Sequence, residues 1–316
     1  MFSNQFGLVI SVGALAMVAW PAKAQDKPDS AIVTEHIEKA KKLAGKEWAK
    51  QEEFFCVKPY PNLATDPLIE PMKIFDNVYA LGSTSTVIYA ITTTEGLVLI
   101  DAGYPDQADT VLLPQLKKAG LDESKIKYVF LGHGHVDHFG AARYLQDKYG
   151  TRVASAAPDW ELMKRPDAPK QDMVLTDGQV IKVGDFKITV VTIPGHTPGS
   201  VGYIFPVKDG GKTYIAGLYG GTVLVPRIAW NLDEYQKSLV KWSQAAKKAN
   251  VTVQLQNHPH MLNFPEKLDQ LKSRKPGEPS PFVVSNAAYV RYFQMIAECT
   301  AAQKQRSAEN PNPPAK

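Results

Sequence analysis

The feature that most constrains this chain is a run of six residues with three histidines and one aspartate. The run follows the apolar segment 126–131 and precedes a helical pattern, and it reads His133-Gly134-His135-Val136-Asp137-His138. A strand that ends in a glycine-containing loop can direct several side chains towards one point. Four such polar groups are costly to bury unless a common partner satisfies them, and imidazole with carboxylate suits a borderline cation such as zinc. The run therefore predicts a metal site.

Two further histidines occupy similar places. His196 lies in a turn with two prolines and two glycines, after the apolar segment 186–193, and His258 follows the segment 251–254. Of the seven histidines, His36 alone lies outside these three clusters at predicted strand ends. A solvated polar loop is the alternative for any one cluster, but their concentration favours one shared metal site.

The rest of the chain alternates short β-branched segments with helical patterns. Strands are predicted at 78–81, 87–92, 97–100, 126–131, 152–155, 179–183, 186–193, 201–205, 213–216 and 251–254. Helices are predicted at 34–51, 107–119, 139–149 and 232–249. These patterns by themselves indicate a mixed α/β fold.

The N-terminal residues predict export. Residues 6–20 form an apolar stretch. Ala22-Lys23-Ala24 follows, with small residues at the two positions that a signal peptidase recognises. This layout is typical of a cleaved signal peptide over residues 1–24 and predicts a periplasmic or secreted protein that begins at Gln25. The segment lacks the usual lysine or arginine, so an uncleaved anchor is the alternative. A membrane span needs about 20 apolar residues, and no later segment reaches that, so no membrane association is expected after cleavage.

The two cysteines, Cys56 and Cys299, lie near opposite ends of the expected mature chain. Neither belongs to a CxxC pair, and export would place them in an oxidising compartment. A disulfide between them is therefore expected, with two buried free thiols as the alternative.

The charge of the chain does not favour nucleic acid as a partner. The formal net charge of +4 would fall by one, to +3, with the loss of Lys23. Such a small and evenly spread excess lacks the basic face of a nucleic-acid-binding protein. A small-molecule substrate is expected, and no pattern indicates an oligomeric state.

In their order along the chain, these motifs resemble those of the metallo-β-lactamase superfamily. The HxHxDH run, the segment PGHTPGS at 194–200 and Asn257-His258-Pro259 correspond to the family's motifs. The strand that ends at Asp101 is similar to its early signature, and the resemblance spans residues 73–260. It implies an α/β fold of the four-layer αββα type, with two sheets packed together and helices outside.

The resemblance also implies the ligands of two zinc ions. The first ion would be held by His133, His135 and His196, and the second by Asp137, His138 and His258. In the family, such a metal pair holds a hydroxide as the nucleophile for a carbonyl group. Asp137 is the implied catalytic residue, because it is a ligand that can also orient the nucleophile. Asp101 is a candidate for orienting ligands, with an ordinary turn residue as the alternative.

One departure from the family bears on the substrate. Glyoxalase II-like, lactonase-like and nuclease-like members carry a metal-bridging aspartate after an Ala-Gly pair, where this chain has Leu218. In lacking this aspartate, the chain resembles subclass B3 of the β-lactamases. However, B3 enzymes commonly carry serines here that hold water and the substrate carboxylate, whereas this chain has Leu218, Tyr219 and Gly220. We therefore expect weak lactamase activity that serines at positions 218 and 220 would increase.

Other groups are candidates for contacts with a substrate. Tyr219 and Arg227 offer a phenol and a guanidinium to an anion, with ordinary loop surface as the alternative. Trp160 and Trp230 are candidates for the walls of an apolar pocket.

Three functional hypotheses remain open. The first is B3-like β-lactam hydrolysis, and the second is zinc-dependent hydrolysis of another small molecule, such as an ester, a lactone or an activated aryl halide. The third is non-catalytic zinc binding. The expected organisation is a signal peptide (1–24), an N-terminal helix and loop (25–72), a metallo-β-lactamase-like catalytic domain (73–262), a C-terminal helical extension on the same domain (263–306) and a disordered tail (307–316).

Overall fold

The computed structural model of the chain describes residues 28–57, 66–223 and 231–309. The predicted signal peptide, Arg227, Trp230 and residues 310–316 of the predicted tail lie outside these ranges. The helices and strands are α1 (Ala31–Ala44), α2 (Ala49–Cys56), β1 (Met72–Phe75), β2 (Val78–Gly82), β3 (Val87–Thr93), β4 (Gly96–Ile100), α3 (Leu113–Lys118), β5 (Ile126–Phe130), α4 (Val136–Phe139), α5 (Ala142–Tyr149), β6 (Arg152–Ala156), α6 (Ala157–Leu162), β7 (Met173–Leu175), β8 (Val180–Val183), β9 (Phe186–Thr192), β10 (Val201–Asp209), β11 (Lys212–Tyr219), α7 (Leu232–Lys248), β12 (Val253–Leu255), α8 (Phe264–Ser273) and α9 (Asn286–Glu309).

The strands form two sheets within the described residues. The first sheet has the sequential order β1 to β7. It is antiparallel as far as β4 and parallel from β4 to β7. The second sheet has the order β12-β11-β10-β9-β8, and only its β11–β12 pair is parallel.

The first sheet is buried on both faces, because apolar side chains alternate between two cores. In β3, Tyr89 belongs to the core between the sheets, whereas Ile88 packs in a second core with Leu116 and Leu145 of the helices outside. Neighbouring residues of a strand point to opposite faces, so this alternation places the first sheet between helices and the second sheet.

The second sheet is covered in the same way on its outer face. Between the sheets, the rings of Phe130 and Tyr203 lie 6.0 Å apart. On the far face, the ring of Tyr219 lies 5.6 Å from that of Trp242 in α7 and 5.3 Å from that of Phe293 in α9. The order of layers is therefore helix, sheet, sheet, helix, which confirms the predicted αββα sandwich.

Glycines explain two differences between the predicted and observed helices. The single helix predicted at 34–51 is two helices, because α1 ends at Gly45, which has a φ of 57°. The helix predicted at 139–149 begins earlier, at Val136, and Gly140 separates α4 from α5. A side chain at Gly140 would collide with the backbone of Tyr104, so this glycine lets the segment between α4 and α5 pack closely against the loop that contains Tyr104.

Other boundaries also differ from the prediction. Strands β10 and β11 are longer than predicted, and β1, β7 and α6 are absent from the prediction. Helix α8 lies within the predicted helical extension 263–306. Helix α9 continues to Glu309, so residues 307–309 are helical and the predicted disordered tail was wrong there. Its last turn includes a hydrogen bond of 2.7 Å from Gln305 Nε2 to Glu309 Oε1, and the first proline follows at position 311.

The predicted disulfide is present. Cys56 ends α2 and is bonded to Cys299 in α9, across 243 positions of sequence. Both side chains are fully buried. No helix in the part of the chain that the structure describes is long and apolar enough to cross a membrane.

We expect the double variant Cys56→Ser/Cys299→Ser to have a lower free energy of unfolding, by up to about 5 kcal/mol, since a very long loop is no longer closed in the unfolded chain. Denaturant titration of the zinc-loaded proteins measures this difference. Thiol titration of unfolded, unreduced wild type should find no free thiol. Two free thiols in protein prepared from an oxidising compartment would contradict the pairing.

Candidate metal centre

The loops that follow four strands meet at one edge of the sandwich. Strand β4 ends before Asp101, β5 ends before the segment 131–138, β9 ends before His196 and β12 ends before His258. The first two strands belong to one sheet and the last two to the other. The predicted ligands therefore come together only when both sheets are packed.

Hydrogen bonds join the two sheets at this edge. Val201 N donates to the carbonyl of Gly132 at 2.9 Å, and the Tyr203 hydroxyl donates to the carbonyl of Leu131 at 2.6 Å. Within the second sheet, Gly220 N donates to the carbonyl of Val201 at 3.1 Å. The start of the histidine run is thus fixed against strands of the opposite sheet.

His133, His135 and His196 bring three ring nitrogens together. His133 Nε2 lies 3.1 Å from His135 Nδ1 and 3.1 Å from His196 Nε2. The third separation, between His196 Nε2 and His135 Nδ1, is also 3.1 Å. Two nitrogens on one tetrahedral zinc ion lie about 3.3 Å apart, given zinc–nitrogen bonds of roughly 2.0–2.1 Å. This first triplet fits one ion held by three imidazoles.

Asp137, His138 and His258 form a second triplet, whose ligand atoms all lie within 4.8 Å of one another. His138 Nε2 is 3.2 Å from Asp137 Oδ2. That nitrogen is buried and makes no hydrogen bond within the described ranges. A buried polar atom without a partner is costly, and a cation in the triplet would satisfy it.

The two triplets are neighbours, because the ring centroids of His133 and His138 lie 3.9 Å apart. Four of the five histidines use their other ring nitrogen for a hydrogen bond to a protein oxygen. The contacts are His133 Nδ1 to Gly220 O at 2.5 Å, His138 Nδ1 to Asp101 Oδ2 at 2.8 Å, His196 Nδ1 to Val223 O at 2.9 Å and His258 Nδ1 to Ser85 O at 2.8 Å. Each contact fixes the ring and leaves Nε2 free to accept a metal ion.

Most of the histidines are neutral at pH 7. Burial lowers the pKa of each, and the neighbouring imidazoles lower it further, to about 3 for His196. Within the two triplets, the histidines with a lowered pKa are His133, His135, His196 and His258. A neutral imidazole is the form that binds a metal ion.

His138 behaves differently because two carboxylates face it. Burial by itself lowers its pKa, but Asp137 and Asp101 outweigh burial and raise the pKa to about 10. For Asp137, burial favours the neutral form, yet His138 and His258 hold the pKa well below its usual range. A proton therefore occupies His138 until a metal ion replaces it.

Asp101 is placed as an orienting residue. It is fully buried and has a φ of 62°, a left-handed conformation that aspartate tolerates better than most residues. Its Oδ1 accepts from Gly132 N at 2.7 Å, and its Oδ2 accepts from His138 and, at 3.2 Å, from Asn257 Nδ2. Asp101 thus connects the loops that follow β4, β5 and β12.

The chain is similar to known proteins over the region that carries these residues. Residues 80–210 match the family model described as the metallo-beta-lactamase superfamily. This match includes five of the six residues of the two triplets, and only His258 lies beyond it. The chain contains a metallo-beta-lactamase superfamily domain.

The chain is similar in structure to BJP-1, a subclass B3 metallo-beta-lactamase of Bradyrhizobium japonicum. The similarity covers 77% of this chain and 97% of BJP-1, with a TM-score of 0.67 and 25% sequence identity. Hydroxyacylglutathione hydrolase GloC of Haemophilus influenzae is 33% identical over 93 residues, which cover 25% of this chain and 44% of that protein. Hydroxyacylglutathione hydrolase of Acidiphilium cryptum is 31% identical over 105 residues, which cover 33% of this chain and 40% of that protein. The chain thus spans less than half the length of these curated relatives.

Several residues that hold the two triplets in place were not predicted from the sequence. Thr86 Oγ1 donates to Asp137 Oδ2 at 3.3 Å, and the backbone of Ser85 accepts from His258. Asn257 Nδ2 donates to the carbonyl of Gly220 at 2.9 Å. Asn257 stands beside His258 in the sequence and could have been proposed on that ground, whereas the loop at 83–86 carries no such signal.

The candidate substrate residues are placed less favourably than the sequence suggested. Leu218 is fully buried within the large core, so it has no surface to offer a substrate. Tyr219 was expected to offer its phenol, but strand alternation turns its side chain towards α7 and α9, where it is fully buried. Trp160 packs beneath the first sheet and donates to the carbonyl of Met173 at 3.0 Å. The proposed roles of Tyr219 and Trp160 were therefore wrong.

Serine does not fit at position 220. A Cβ there would collide with the carbonyl of Val201 and lie 2.7 Å from Gly132 Cα. A serine at this position therefore has no space between the two sheets. The increase in lactam hydrolysis expected from Leu218→Ser stays a prediction.

We expect His196→Ala to lower the zinc content from about two ions per chain to about one, since two remaining ligands cannot hold the first ion against a chelator. Metal analysis after dialysis against a moderate chelator measures this. His36→Ala is the matched control, because His36 pairs with Glu298 at 2.7 Å on the helical side of the molecule. Two tightly held zinc ions in His196→Ala would disprove the ligand assignment.

A second expectation concerns protons. Filling of the second triplet at pH 7.5 should release about one proton, from His138, whereas filling of the first triplet releases almost none. The apparent affinity of the second site should consequently rise about tenfold per pH unit between about pH 7 and 10. Calorimetry in two buffers with different ionisation enthalpies counts the protons. Zinc binding without proton release would contradict the charge state given for His138.

Proposed function

We propose that this chain is a di-zinc hydrolase that attacks a carbonyl or similar electrophile of a small molecule. The observation that carries the proposal is the pair of adjacent triplets, each with ring nitrogens aimed inwards by hydrogen bonds on the other side of the ring. The proposed ligands are His133, His135 and His196 for the first ion, and Asp137, His138 and His258 for the second.

Two zinc ions held by these residues would lower the pKa of a water molecule and polarise a substrate oxygen. Within the chain itself, His135 and Asp137 supply the partly exposed side of the cluster, whereas His133, His138 and His258 are buried. Substrate therefore approaches over the 135–137 segment. Asp137 is ionised at neutral pH and accepts a hydrogen bond from Thr86, which leaves it able to bind an ion and to orient a reacting water molecule.

A β-lactam is the best single proposal for the substrate. The BJP-1 structure, a B3 metallo-beta-lactamase by its description, is matched over 97% of its length. The curated hydroxyacylglutathione hydrolases are matched over less than half of theirs. Leu218 stands where glyoxalase II-like members have a metal-bridging aspartate, and it carries no ligand atom. This difference favours a B3-like site over a thioesterase of the glyoxalase II type.

A second candidate is hydrolysis of a neutral ester, lactone or activated aryl halide. It is favoured because none of three successive positions offers a hydroxyl to a substrate: Leu218 has none, that of Tyr219 is buried in the core, and Gly220 has no side chain. A hydrogen bond to a charged group contributes about 1.5–3 kcal/mol, or roughly tenfold to a hundredfold in affinity. An anionic β-lactam that lacks this bond should bind weakly.

We also propose that the protein is exported to the periplasm or secreted, with residues 73–262 as the catalytic domain and 263–306 as its helical extension. The buried disulfide between Cys56 and Cys299 supports an oxidising compartment.

The test is a hydrolysis panel on zinc-loaded protein: nitrocefin, a carbapenem, an aryl ester, a lactone and a glutathione thioester. We expect at least one carbonyl substrate to be hydrolysed, with activity lost in a chelator and in His196→Ala but retained in His36→Ala. For β-lactams we expect a high KM. Two bound zinc ions with no turnover of any substrate would favour non-catalytic zinc binding. Fastest turnover of the glutathione thioester would favour the activity named for the curated relatives.

A further inference from the structure

A buried aspartate outside both triplets connects the two loops that carry the first triplet. Asp159 lies in the first turn of α6 and is fully buried. Its Oδ2 accepts from Gly134 N at 2.6 Å and from the Thr197 hydroxyl at 2.7 Å. Its Oδ1 accepts from Gly199 N at 2.8 Å. All three donors belong to the histidine run or to the turn that contains His196.

Each donor is a close neighbour of a ligand. Gly134 lies between His133 and His135, and Thr197 directly follows His196. The carboxylate therefore sets the distance between the backbone segments that present all three imidazoles of the first triplet. It touches none of the imidazoles itself, so it acts through the backbone.

Both loops are shaped to receive this side chain. A Cβ at Gly199 would lie 2.6 Å from Asp159 N and 2.7 Å from its Cγ. A Cβ at Gly134 would lie 3.1 Å from the Asp159 carbonyl oxygen and 3.2 Å from Met163 Cγ. Glycine at these two positions lets the backbones approach the carboxylate from opposite sides. The Thr197 hydroxyl is also held, 2.7 Å from Ser200 Oγ, so it points at the carboxylate in a fixed direction.

We propose that Asp159 is a positioning residue that controls the affinity of the first zinc site and leaves the second site almost unchanged. The inference rests on the proposed di-zinc function. The selectivity follows from the contacts, because the second triplet is held by different groups: Asp101 at His138, Ser85 at His258 and Thr86 at Asp137. None of these groups is a hydrogen-bond partner of Asp159 in the described structure.

The experiment compares the zinc affinities of the two sites in the wild type and in Asp159→Asn. The amide keeps the size of the carboxylate but removes its charge, and it replaces one acceptor oxygen with an NH2 group that faces donors. Loss of a residue that holds the ligands of a metal site in position lowers metal affinity by about 10–100-fold. We expect a loss in that range at the first site and less than about threefold at the second.

Chelator competition measures the affinities, and cobalt(II) substitution gives a spectroscopic signature of the geometry at each site. His196→Ala and His258→Ala provide the reference signatures for loss of the first and second ion. Asp209→Asn is the matched structural control, since Asp209 is also buried, pairs with Arg274 Nη1 at 2.8 Å and accepts from Ser280 N at 3.2 Å. That control should lower the melting temperature without selective loss of either ion.

Thr197→Val provides a milder test if Asp159→Asn does not fold. It removes a single donor to the carboxylate with little change of shape, so it should weaken the first site in the same direction by a smaller factor. An Asp159→Asn or Thr197→Val protein that holds both ions as tightly as wild type overturns the inference. An equal loss at both sites overturns it as well, because the effect would then be general. Wild type that binds no zinc pair instead refutes the proposed function on which the inference rests.

Discussion

The hydrogen bonds behind the histidines are the interactions on which the metal centre depends. An imidazole can turn about two side-chain bonds and can carry its proton on either nitrogen, so a cluster of histidines is not by itself a set of ligands. Here the carbonyls of Gly220, Val223 and Ser85 and the carboxylate of Asp101 each accept from one ring nitrogen. In His133, His196 and His258 the other nitrogen is left without its proton and directed inwards, and His138 directs its Nε2 to the same place but keeps its proton until a metal ion binds. Because these oxygens come from loops that follow strands of both sheets, the ligand geometry is a property of the whole sandwich.

The same arrangement would be costly in free energy without a cation. Three imidazoles, those of His133, His196 and His258, are buried and held neutral beside the half-buried, neutral His135, and His138 is protonated between two carboxylates. A protein can keep such a group of polar atoms out of water when a cation satisfies them together. Metal binding is therefore linked to folding: an ion that binds the native chain and not the unfolded one adds its binding free energy to stability.

The sequence indicated the proposed metal ligands, but it did not indicate the residues that hold those ligands in position. Three strand-end clusters contained all six proposed ligands, because six of the seven histidines of the chain are concentrated there. Asp159 had no comparable signal, since its partners are backbone amides at Gly134 and Gly199, and any residue type has a backbone amide. Tyr219 was misplaced for a different reason. The strand was predicted to end at residue 216, and its extension to Tyr219 turned an expected loop side chain into one that alternates into the core.

Gly220 connects the geometry of the first metal site to the choice of substrate. Its carbonyl accepts from His133 and from Asn257, and its amide donates to Val201, so its backbone is held from three sides. That close approach to Gly132 and Val201 removes the space that a side chain would need. A serine that could hold a substrate carboxylate is thus incompatible with the contacts that orient His133. If this chain hydrolyses β-lactams, another group must meet the carboxylate. If none does, the same constraint that builds the metal site directs the enzyme towards neutral substrates.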